Sequence, residues 1–479
     1  MYYIMKKTII FIIIAAFFIC SCLALAANEE SGGDCGENKY DGYLVFLSDD
    51  IKTASLAELS SDGELTHVAD NIYKTDDREL AELMLICGQA EHVEPDYYAT
   101  LCDTDGGETV YYGWSYEAVE ADYAEAFGLD GTGVRIAVID SGLELNNPDL
   151  KNANICAGYD YINETTEMSD DVFHGTKVTQ MICADKNDLG ITGVARGVQI
   201  VPLRCFSKSK SPRVSDLVRI IDDAVNVYHC DVLNMSWTFD ANTEALFQAT
   251  KKAYDAGAVL VAAAGNVSST APQGRILYPA AYDHVISVSS VNKNLSYVYS
   301  SQHNSHVTVC GPGEGVTFIM ADGTSLISSG TSFAAPCVSG EAAILLQLAP
   351  DMDNATVMKL FKERAVDLGA KDYDIYYGYG FANIRALLDS SWVDLKPADE
   401  GYIASAWILN EDGGYITSAS YDDAGRLTGT SLYKTYNPRE YVKFTIVPKS
   451  GDARETFFFF DRDMHPLAEK CDFFFDAES

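Results

Sequence analysis

The chain has 479 residues, and 47% of them are hydrophobic, which is ample for large buried cores. Its length favours two or three domains over one. The formal net charge is -36, so the protein would repel the phosphates of a nucleic acid, and we predict no nucleic-acid partner.

The N-terminal residues have the pattern of a targeting segment. Two lysines form a basic start, residues 9–19 are apolar, and Ala24-Leu25-Ala26 is typical of a signal-peptidase site. This pattern predicts a signal peptide over residues 1–26 and a secreted, extracellular protein. Two alternatives are an uncleaved membrane anchor and a lipoprotein lipidated at Cys22, and both would still face outside.

The cysteines give two opposing indications. Twelve cysteines in an exported chain suggest disulfides. However, Cys183, Cys205 and Cys310 lie in apolar segments, where buried and inert thiols are more natural. Our hypothesis is that most of the cysteines are free.

Residues 39–102 have the pattern of a small separate unit. Residues 43–47 read as a strand, and residues 76–87 have helical spacing with acids in the first turn. Residues 90–101 contain Val93-Glu94-Pro95 and read as a closing strand. We therefore expect a small α+β fold here.

Strands and helices alternate over residues 111–390, which predicts an α/β fold with a doubly wound, mostly parallel sheet. An apolar run ends in Asp140, at the edge where such sheets place their sites. His174 opens one helix. A loop over residues 321–329, rich in glycine and serine, leads to Ser332 in the first turn of another helix, beside free backbone N–H groups.

Residues 391–479 differ from the preceding part of the chain. They alternate apolar and polar residues, contain turn sequences at 410–414 and 422–425, and carry an aromatic cluster at 457–460. This pattern predicts a small antiparallel β-sandwich-like domain. Nothing in it carries visible chemistry, so we expect it either to contact a surface, such as a cell surface, or to brace the rest of the protein.

The order Asp140, His174, Ser332, each in its local context, resembles the subtilisin-like serine proteases, the subtilases. The resemblance covers about 111–388 and implies a serine endopeptidase that cleaves protein or peptide substrates through an acyl-enzyme. It implies that Ser332 is the nucleophile, His174 its general base and Asp140 the group that orients the histidine. Asn266, at the end of an Ala-Ala-Ala-Gly-Asn run, matches the asparagine that stabilises the oxyanion in this family.

The 39–102 unit is similar to the inhibitory propeptides of subtilases, which end in a strand of the Val-Glu-Pro type. This resemblance implies that the unit assists folding, blocks the cleft as an inhibitor and is then removed. Cleavage is expected between Leu101 and Tyr112. The alternative is an unrelated small α+β domain.

The segment 185–191 has the length of the calcium loop of the family. The resemblance implies a structural Ca²⁺, because hard oxygen ligands suit this ion. The alternative is a solvated polar loop without a metal. The implied ligands are the Asp149 carboxylate, the Asn187 side chain and the backbone carbonyls of Asp185, Leu189 and Ile191.

The predicted substrate groove departs from the family pattern. Ser236-Trp237-Thr238 stands where relatives have Ser-Leu-Gly, and this difference predicts a narrowed or reshaped groove near Gly265. Leu277 lies where many relatives have a small residue at the floor of the main pocket, so we expect small or medium side chains before the scissile bond. Further departures occur at Lys177, Thr179, Gln180 and Cys337.

Two other functions remain open at this point. The altered groove suits a processing protease that matures one partner peptide. A second alternative is a subtilase scaffold without activity that serves as a binding protein. The four residues Asp140, His174, Asn266 and Ser332 argue against an inactive scaffold.

Overall fold

A computed structural model describes residues 40–48, 65–87, 89–102, 104–105, 113–187, 189–388, 392–398, 401–408, 414–434, 440–448, 452–461 and 471–474. The predicted signal peptide, the alternative lipidation at Cys22 and most of residues 103–112 lie outside these ranges. Within them, no helix is long and apolar enough to cross a membrane.

The N-terminal part is a four-stranded antiparallel sheet with the strand order β2-β3-β1-β4 and one helix packed on it. Asp77 caps this helix, because its side chain accepts hydrogen bonds from the N–H groups of Glu79 and Leu80. The small α+β unit predicted from the sequence is therefore present. Its elements are β1 (Tyr40–Leu47), β2 (Thr66–Ala69), β3 (Ile72–Thr75), α1 (Arg78–Ile86) and β4 (Ala90–Tyr97).

The central part follows two short strands and two short helices and is built on an eight-stranded parallel sheet. Its order is β15-β14-β13-β11-β7-β10-β8, with β9 beside β10. A single turn of 3-10 helix covers Pro148–Leu150. The elements in chain order are β5 (Thr100–Leu101), β6 (Thr104–Asp105), α2 (Trp114–Ala118), α3 (Ala121–Glu125), β7 (Arg135–Asp140), β8 (Asn154–Ile155), β9 (Tyr159–Asp160), α4 (His174–Cys183), β10 (Gln199–Arg204), α5 (Val214–Asn226), β11 (Val232–Met235), β12 (Trp237–Thr238), α6 (Glu244–Asp255), β13 (Val259–Ala263), β14 (Ile286–Val291), β15 (Val309–Pro312), β16 (Val316–Ile319), β17 (Ser325–Ser329), α7 (Thr331–Leu348), α8 (Asn354–Arg364) and α9 (Ile384–Leu388).

Strand β7 explains why the sheet is covered on both faces. Alternate residues of a strand point to opposite faces. Ile136 and Val138 belong to the core that contains α4 and α7, whereas Ala137 and Ile139 belong to the core that contains α5 and α6. All four side chains are buried. The predicted doubly wound α/β sheet is confirmed.

The predicted loop at 321–329 is wrong in its second half. Ser325–Ser329 form β17, which pairs antiparallel with β16 and also with β6. The strand is short and rich in serine, so its own pattern gives no strand signal. Pairing with partners elsewhere in the chain supplies the backbone hydrogen bonds instead.

The C-terminal part contains two antiparallel sheets, β18-β19-β22 and β21-β20-β23-β24. Phe457 and Phe459 are buried, as alternation along β23 requires. The predicted antiparallel β architecture is confirmed. The strands are β18 (Trp392–Ala398), β19 (Gly401–Ile408), β20 (Gly414–Asp422), β21 (Leu427–Lys434), β22 (Glu440–Ile446), β23 (Asp452–Asp461) and β24 (Cys471–Phe474).

Free thiols are common in the part of the chain that the structure describes. Burial raises the pKa of Cys205, Cys310 and Cys337 well above the usual thiol value, which favours inert thiols. Among the residues that the structure describes, the cysteines outside any disulfide are Cys87, Cys102, Cys156, Cys183, Cys205, Cys230, Cys310 and Cys337.

Candidate active site

Asp140 and His174 meet at the carboxyl edge of the sheet. Asp140 is the last residue of β7, His174 is the first of α4, and both are buried. The distance from His174 Nδ1 to Asp140 Oδ1 is 2.7 Å. A carboxylate accepts only, so Nδ1 carries the proton in this pair and Nε2 is the basic nitrogen of the ring.

The turn before His174 is organised by Asp170, which the sequence analysis did not identify. Its carboxylate accepts hydrogen bonds from the N–H of Phe173 at 2.7 Å and from the Ser141 hydroxyl at 2.8 Å. It also accepts from the N–H and hydroxyl of Thr176. These bonds join the turn, the start of α4 and the residue after Asp140. An acid four residues before a helix is a weak signal of this role.

Gly175 allows α4 to approach this turn closely. A Cβ atom at this position would lie 2.3 Å from the carbonyl oxygen of Gly142 and 3.1 Å from Asp140 Cβ. Any larger residue would therefore push His174 away from the carboxylate.

Ser332 lies in the first turn of α7 and is tied to Ser236, directly after β11. The Ser332 hydroxyl donates to the Ser236 carbonyl at 3.0 Å, and the Ser236 hydroxyl donates to the Ser332 carbonyl at 2.9 Å. Pro336 explains the second bond. Proline has no N–H, so the carbonyl four residues earlier loses its helical donor and takes the Ser236 hydroxyl instead.

Asn266 is fixed by the same helix start. Its side-chain oxygen accepts from both the N–H and the hydroxyl of Thr331, each at 3.1 Å. The hydroxyl of Thr331 lies 3.1 Å from the N–H of Gly265 as well. The oxygen of the Asn266 amide therefore accepts from Thr331, and the NH₂ group is the part of the amide that can donate a hydrogen bond.

The residues that follow β4 run antiparallel along the predicted groove. In β5, Thr100 pairs with Thr238 and Leu101 pairs with Trp237 of β12. On the other side, the N–H of Ala99 donates to the Pro212 carbonyl at 2.8 Å. The segment is therefore a middle strand held by backbone hydrogen bonds on both sides, as an extended peptide ligand would be.

The same segment continues past Ser332. The N–H of Ser332 donates to the Cys102 carbonyl at 3.2 Å. Beyond this point, Thr104 and Asp105 of β6 pair with Ser329 and Ser328 of β17. Cys102 is thus the residue whose carbonyl lies at the predicted nucleophile, with paired backbone before and after it.

Leu277, Thr238 and Trp237, three residues of the predicted substrate groove, are buried. Leu277 is 4% exposed, and a Cβ atom at Gly265 would lie 2.3 Å from Leu277 Cδ1, so the leucine covers the glycine. The Cys102 thiol lies 3.3 Å from the Thr238 hydroxyl. Trp237 is fully buried in the apolar cluster that also contains Ala99.

The N-terminal unit also contacts the ends of two helices. The Glu94 carboxylate accepts from the N–H groups of Glu244 and Ala245 at the start of α6, at 2.7 and 2.8 Å. The Asp96 carboxylate accepts from the N–H and hydroxyl of Ser215 at the start of α5. Both contacts place negative charge at the positive end of a helix, where it stabilises the docked unit.

The loop after α4 packs on a buried carboxylate of the 3-10 turn Pro148–Leu150. Asp149 is fully buried, and neither carboxylate oxygen makes a hydrogen bond of normal geometry. Burial raises the pKa of Asp149 to about 7, although the neighbouring Asn187 side chain and Ile191 N–H lower it. The N–H of Asp185 donates to the Asp149 backbone carbonyl at 2.8 Å, and Leu189 is exposed.

This set of groups fits a hard cation in part. Among the residues described, no three His, Cys, Asp or Glu side chains are grouped as metal ligands. An ion here would therefore depend on Asp149, on amide oxygen and on backbone carbonyls, which are all ligands that Ca²⁺ accepts. The uncompensated carboxylate is the feature that favours such an ion.

Comparison with known proteins identifies the family of the central part. Residues 131–380, more than half of the chain, match the model of the subtilase family. Subtilisin DY of Bacillus licheniformis is 34% identical over 279 residues, which cover 58% of this chain and 98% of the relative. Subtilisin E of Bacillus subtilis is 32% identical over 296 residues, covering 62% of this chain and 74% of the relative.

A third relative matches over part of its length. The minor extracellular protease Epr of Bacillus subtilis is 32% identical over 298 residues, which cover 62% of this chain and 45% of the relative. The chain therefore belongs to the subtilase family, and it is a serine endopeptidase similar to the subtilisins.

Proposed function

We propose that the protein is an exported endopeptidase that matures by cutting its own propeptide, with Ser332, His174 and Asp140 as the catalytic triad. The observation that carries the proposal is the hydrogen bond from the Ser332 N–H to the Cys102 carbonyl. It combines with backbone pairing of the same segment on both sides of this point. The basic and apolar pattern of residues 1–26 supports export.

The proposed reaction begins with a proton transfer. His174 Nε2 takes the proton of the Ser332 hydroxyl, which leaves the Ser236 carbonyl, and Oγ bonds to the substrate carbonyl carbon. The oxyanion is stabilised by the Ser332 N–H and the Asn266 amide. Asp140 holds the ring and stabilises its protonated form.

The tetrahedral intermediate then collapses. His174 gives its proton to the leaving amine, the C–N bond breaks, and an acyl-enzyme remains on Ser332. A water molecule, deprotonated by His174, attacks this ester. The second product leaves with a free carboxylate, and Ser332 regains its proton.

The parts of the chain take separate roles in this proposal. Residues 39–102 are the inhibitory propeptide, residues 111–390 the peptidase domain, and residues 391–479 a C-terminal domain that braces the enzyme or contacts a surface. Docking of the first unit through Glu94 and Asp96 supports the inhibitory role. The alternative of an unrelated α+β domain does not account for a chain segment seated in the groove.

A structural Ca²⁺ belongs to the same proposal. The Asp149 carboxylate and the Asn187 side chain would bind it, together with the backbone carbonyls of Asp185, Leu189 and Ile191. The ion would supply positive charge to a buried carboxylate that otherwise lacks a good partner. Its role would be stability of the loop, and no catalytic step passes through it.

The pocket supports a preference for small side chains before the scissile bond. Leu277 covers Gly265, and the chain presents Cys102 at this position. Trp237 packs in one cluster with Ala99, three residues earlier, so a small residue suits that position too. Two restricted positions favour a processing protease of narrow specificity as the second candidate function.

Self-processing tests the proposal directly. Residues 28–479 are expressed as wild type and as Ser332→Ala, and intact masses and new N-termini are compared. We expect the wild type alone to lose the unit that ends at Cys102, because only it can form the acyl-enzyme. If both proteins stay uncut and the wild type does not react with an active-site serine phosphonate, catalysis by Ser332 is refuted. Equal cutting of both proteins would refute self-maturation.

A further inference from the structure

A buried lysine lies beside the predicted nucleophile. Lys177 is on α4, three residues after His174, and is only 2% exposed. Its Nζ lies 3.2 Å from the Ser328 hydroxyl of β17. It also lies 5.3 Å from the centre of the Phe333 ring, and Phe333 directly follows Ser332. Burying an ammonium group is costly, so its position calls for an explanation.

The strand pairing places this ammonium on the leaving-group side of the scissile bond. Ser328 pairs with Asp105, the third residue after Cys102. Side chains alternate along an extended chain, so the first and third residues after the bond share one face, the face of the buried Ser328 side chain. Of the two positions, the first is nearer to Ser332 and hence to Phe333.

We propose that Lys177 is a specificity-determining residue that selects an acidic side chain at the first position after the scissile bond. The chain's own sequence fits this inference, because Asp103 follows Cys102; Asp103 itself lies outside the described residues. The inference rests on the proposed function, since it concerns substrates of the same site. A carboxylate there would form a charge-assisted bond with a shielded ammonium.

Two peptides test the inference on the wild-type enzyme. Both have the sequence of residues 98–107, one with Asp and one with the isosteric Asn at the position of Asp103. We expect kcat/KM to favour the Asp peptide by about ten-fold or more, as a charge-assisted hydrogen bond allows. In a third peptide, Asn replaces only Asp105, and kcat/KM should fall less than it does when Asn replaces Asp103. Equal rates for the first two peptides, or a preference at the third position alone, would overturn the inference.

A pair of variants tests whether Lys177 is the cause. In Lys177→Met, the preference for Asp over Asn should fall to about one, because the ammonium is gone while the bulk of the side chain stays. Lys251→Met removes the same charge from an exposed site on α6 and should keep the preference. A folded Lys177→Met variant that keeps the wild-type ratio would disprove the assignment.

The ratio of rates separates this inference from the proposed function. If the enzyme cleaves the Asp and Asn peptides at equal rates, the acidic preference is refuted and the proposed protease activity is not. A wild type that cleaves none of the peptides, and no unrelated protein substrate, contradicts both. If Lys177→Met fails to fold, the ratio of kcat/KM for the Asp and Asn peptides, measured on the wild type, still tests the inference.

Discussion

The start of α7 illustrates how single residues set the proposed site. The Ser332 carbonyl lacks a helical donor because of Pro336, and Ser236 fills its place. Asn266 is held through its oxygen by Thr331, which leaves its NH₂ group for an oxyanion. In each case hydrogen bonds fix the atom that does not react and thereby orient the atom that would.

Replacing Asn266 with alanine should lower kcat by about 10²–10³-fold, because a positioned oxyanion donor is worth roughly that much. KM should change far less, since the donor acts mainly on the transition state. Steady-state kinetics on a peptide substrate checks this, with circular dichroism as the test of folding. An unchanged kcat in a folded variant would remove Asn266 from the mechanism.

The residues that sequence reasoning identified share one property. Asp140, His174 and Ser332 lie at a strand end or in the first turn of a helix, and Asn266 follows β13 by three residues, so a local pattern marks each of them. Asp170 is different, because its partner Ser141 is 29 residues away along the chain and becomes a neighbour only after the chain has folded. Long-range partners leave no local trace, and this is why such a positioning residue was missed.

The loop between α4 and β10 covers a carboxylate whose burial is energetically unfavourable. It buries the Asp149 carboxylate, yet the carboxylate lacks hydrogen bonds of normal geometry. An uncompensated buried charge costs free energy of folding, so the loop would gain stability from a bound cation. The length of the loop was evident from the sequence, whereas the burial of Asp149 was not.

Removal of Ca²⁺ with EDTA should lower the Tm of the wild type by several degrees, since an ion bound only to the folded state stabilises it. In Asp149→Asn, which removes the charge at similar size, Tm should be the same with EDTA and with Ca²⁺. Differential scanning calorimetry measures both, and Asp322→Asn in the exposed turn between β16 and β17 is the control. A wild type indifferent to Ca²⁺ would contradict the proposed ion.

Strand β17 shows that some elements cannot be predicted from their local sequence pattern. Strand β7 was predicted from its own sequence, because the residues before Asp140 form a continuous apolar run. Ser325–Ser329 has no such run, and only its pairing with β16 and β6 makes it a strand. The half of the groove that would bind the leaving group was therefore invisible in the sequence.

The whole molecule is organised around the contact between its N-terminal unit and the central part. Glu94 and Asp96 sit on the starts of α6 and α5, and the chain then passes along the groove. Further ion pairs join the two parts, including Lys252 with Asp70 at 2.8 Å. The helix ends thus hold the unit at a fixed distance from Ser332.

The separated unit 39–102 should inhibit the processed enzyme, and Glu94→Ala should raise its inhibition constant by about ten-fold or more, because two charge-assisted bonds are lost. Glu91→Ala, an exposed change on the same strand, is the matched control. Inhibition constants measured with a peptide substrate decide the matter. Equal inhibition constants for the Glu94→Ala and Glu91→Ala units would mean that the Glu94 contact with the start of α6 does not hold the unit on the enzyme.

The seating of the Cys102 carbonyl at Ser332 of the same chain has a consequence for kinetics. The Cys102 carbonyl already accepts a hydrogen bond from the Ser332 N–H of the same molecule, so its effective concentration is set by covalent connection and not by how many molecules are present. Maturation by this route would be a first-order process. It would run at the same rate in a dilute secretion as in a concentrated one, and each molecule would set its own time of activation.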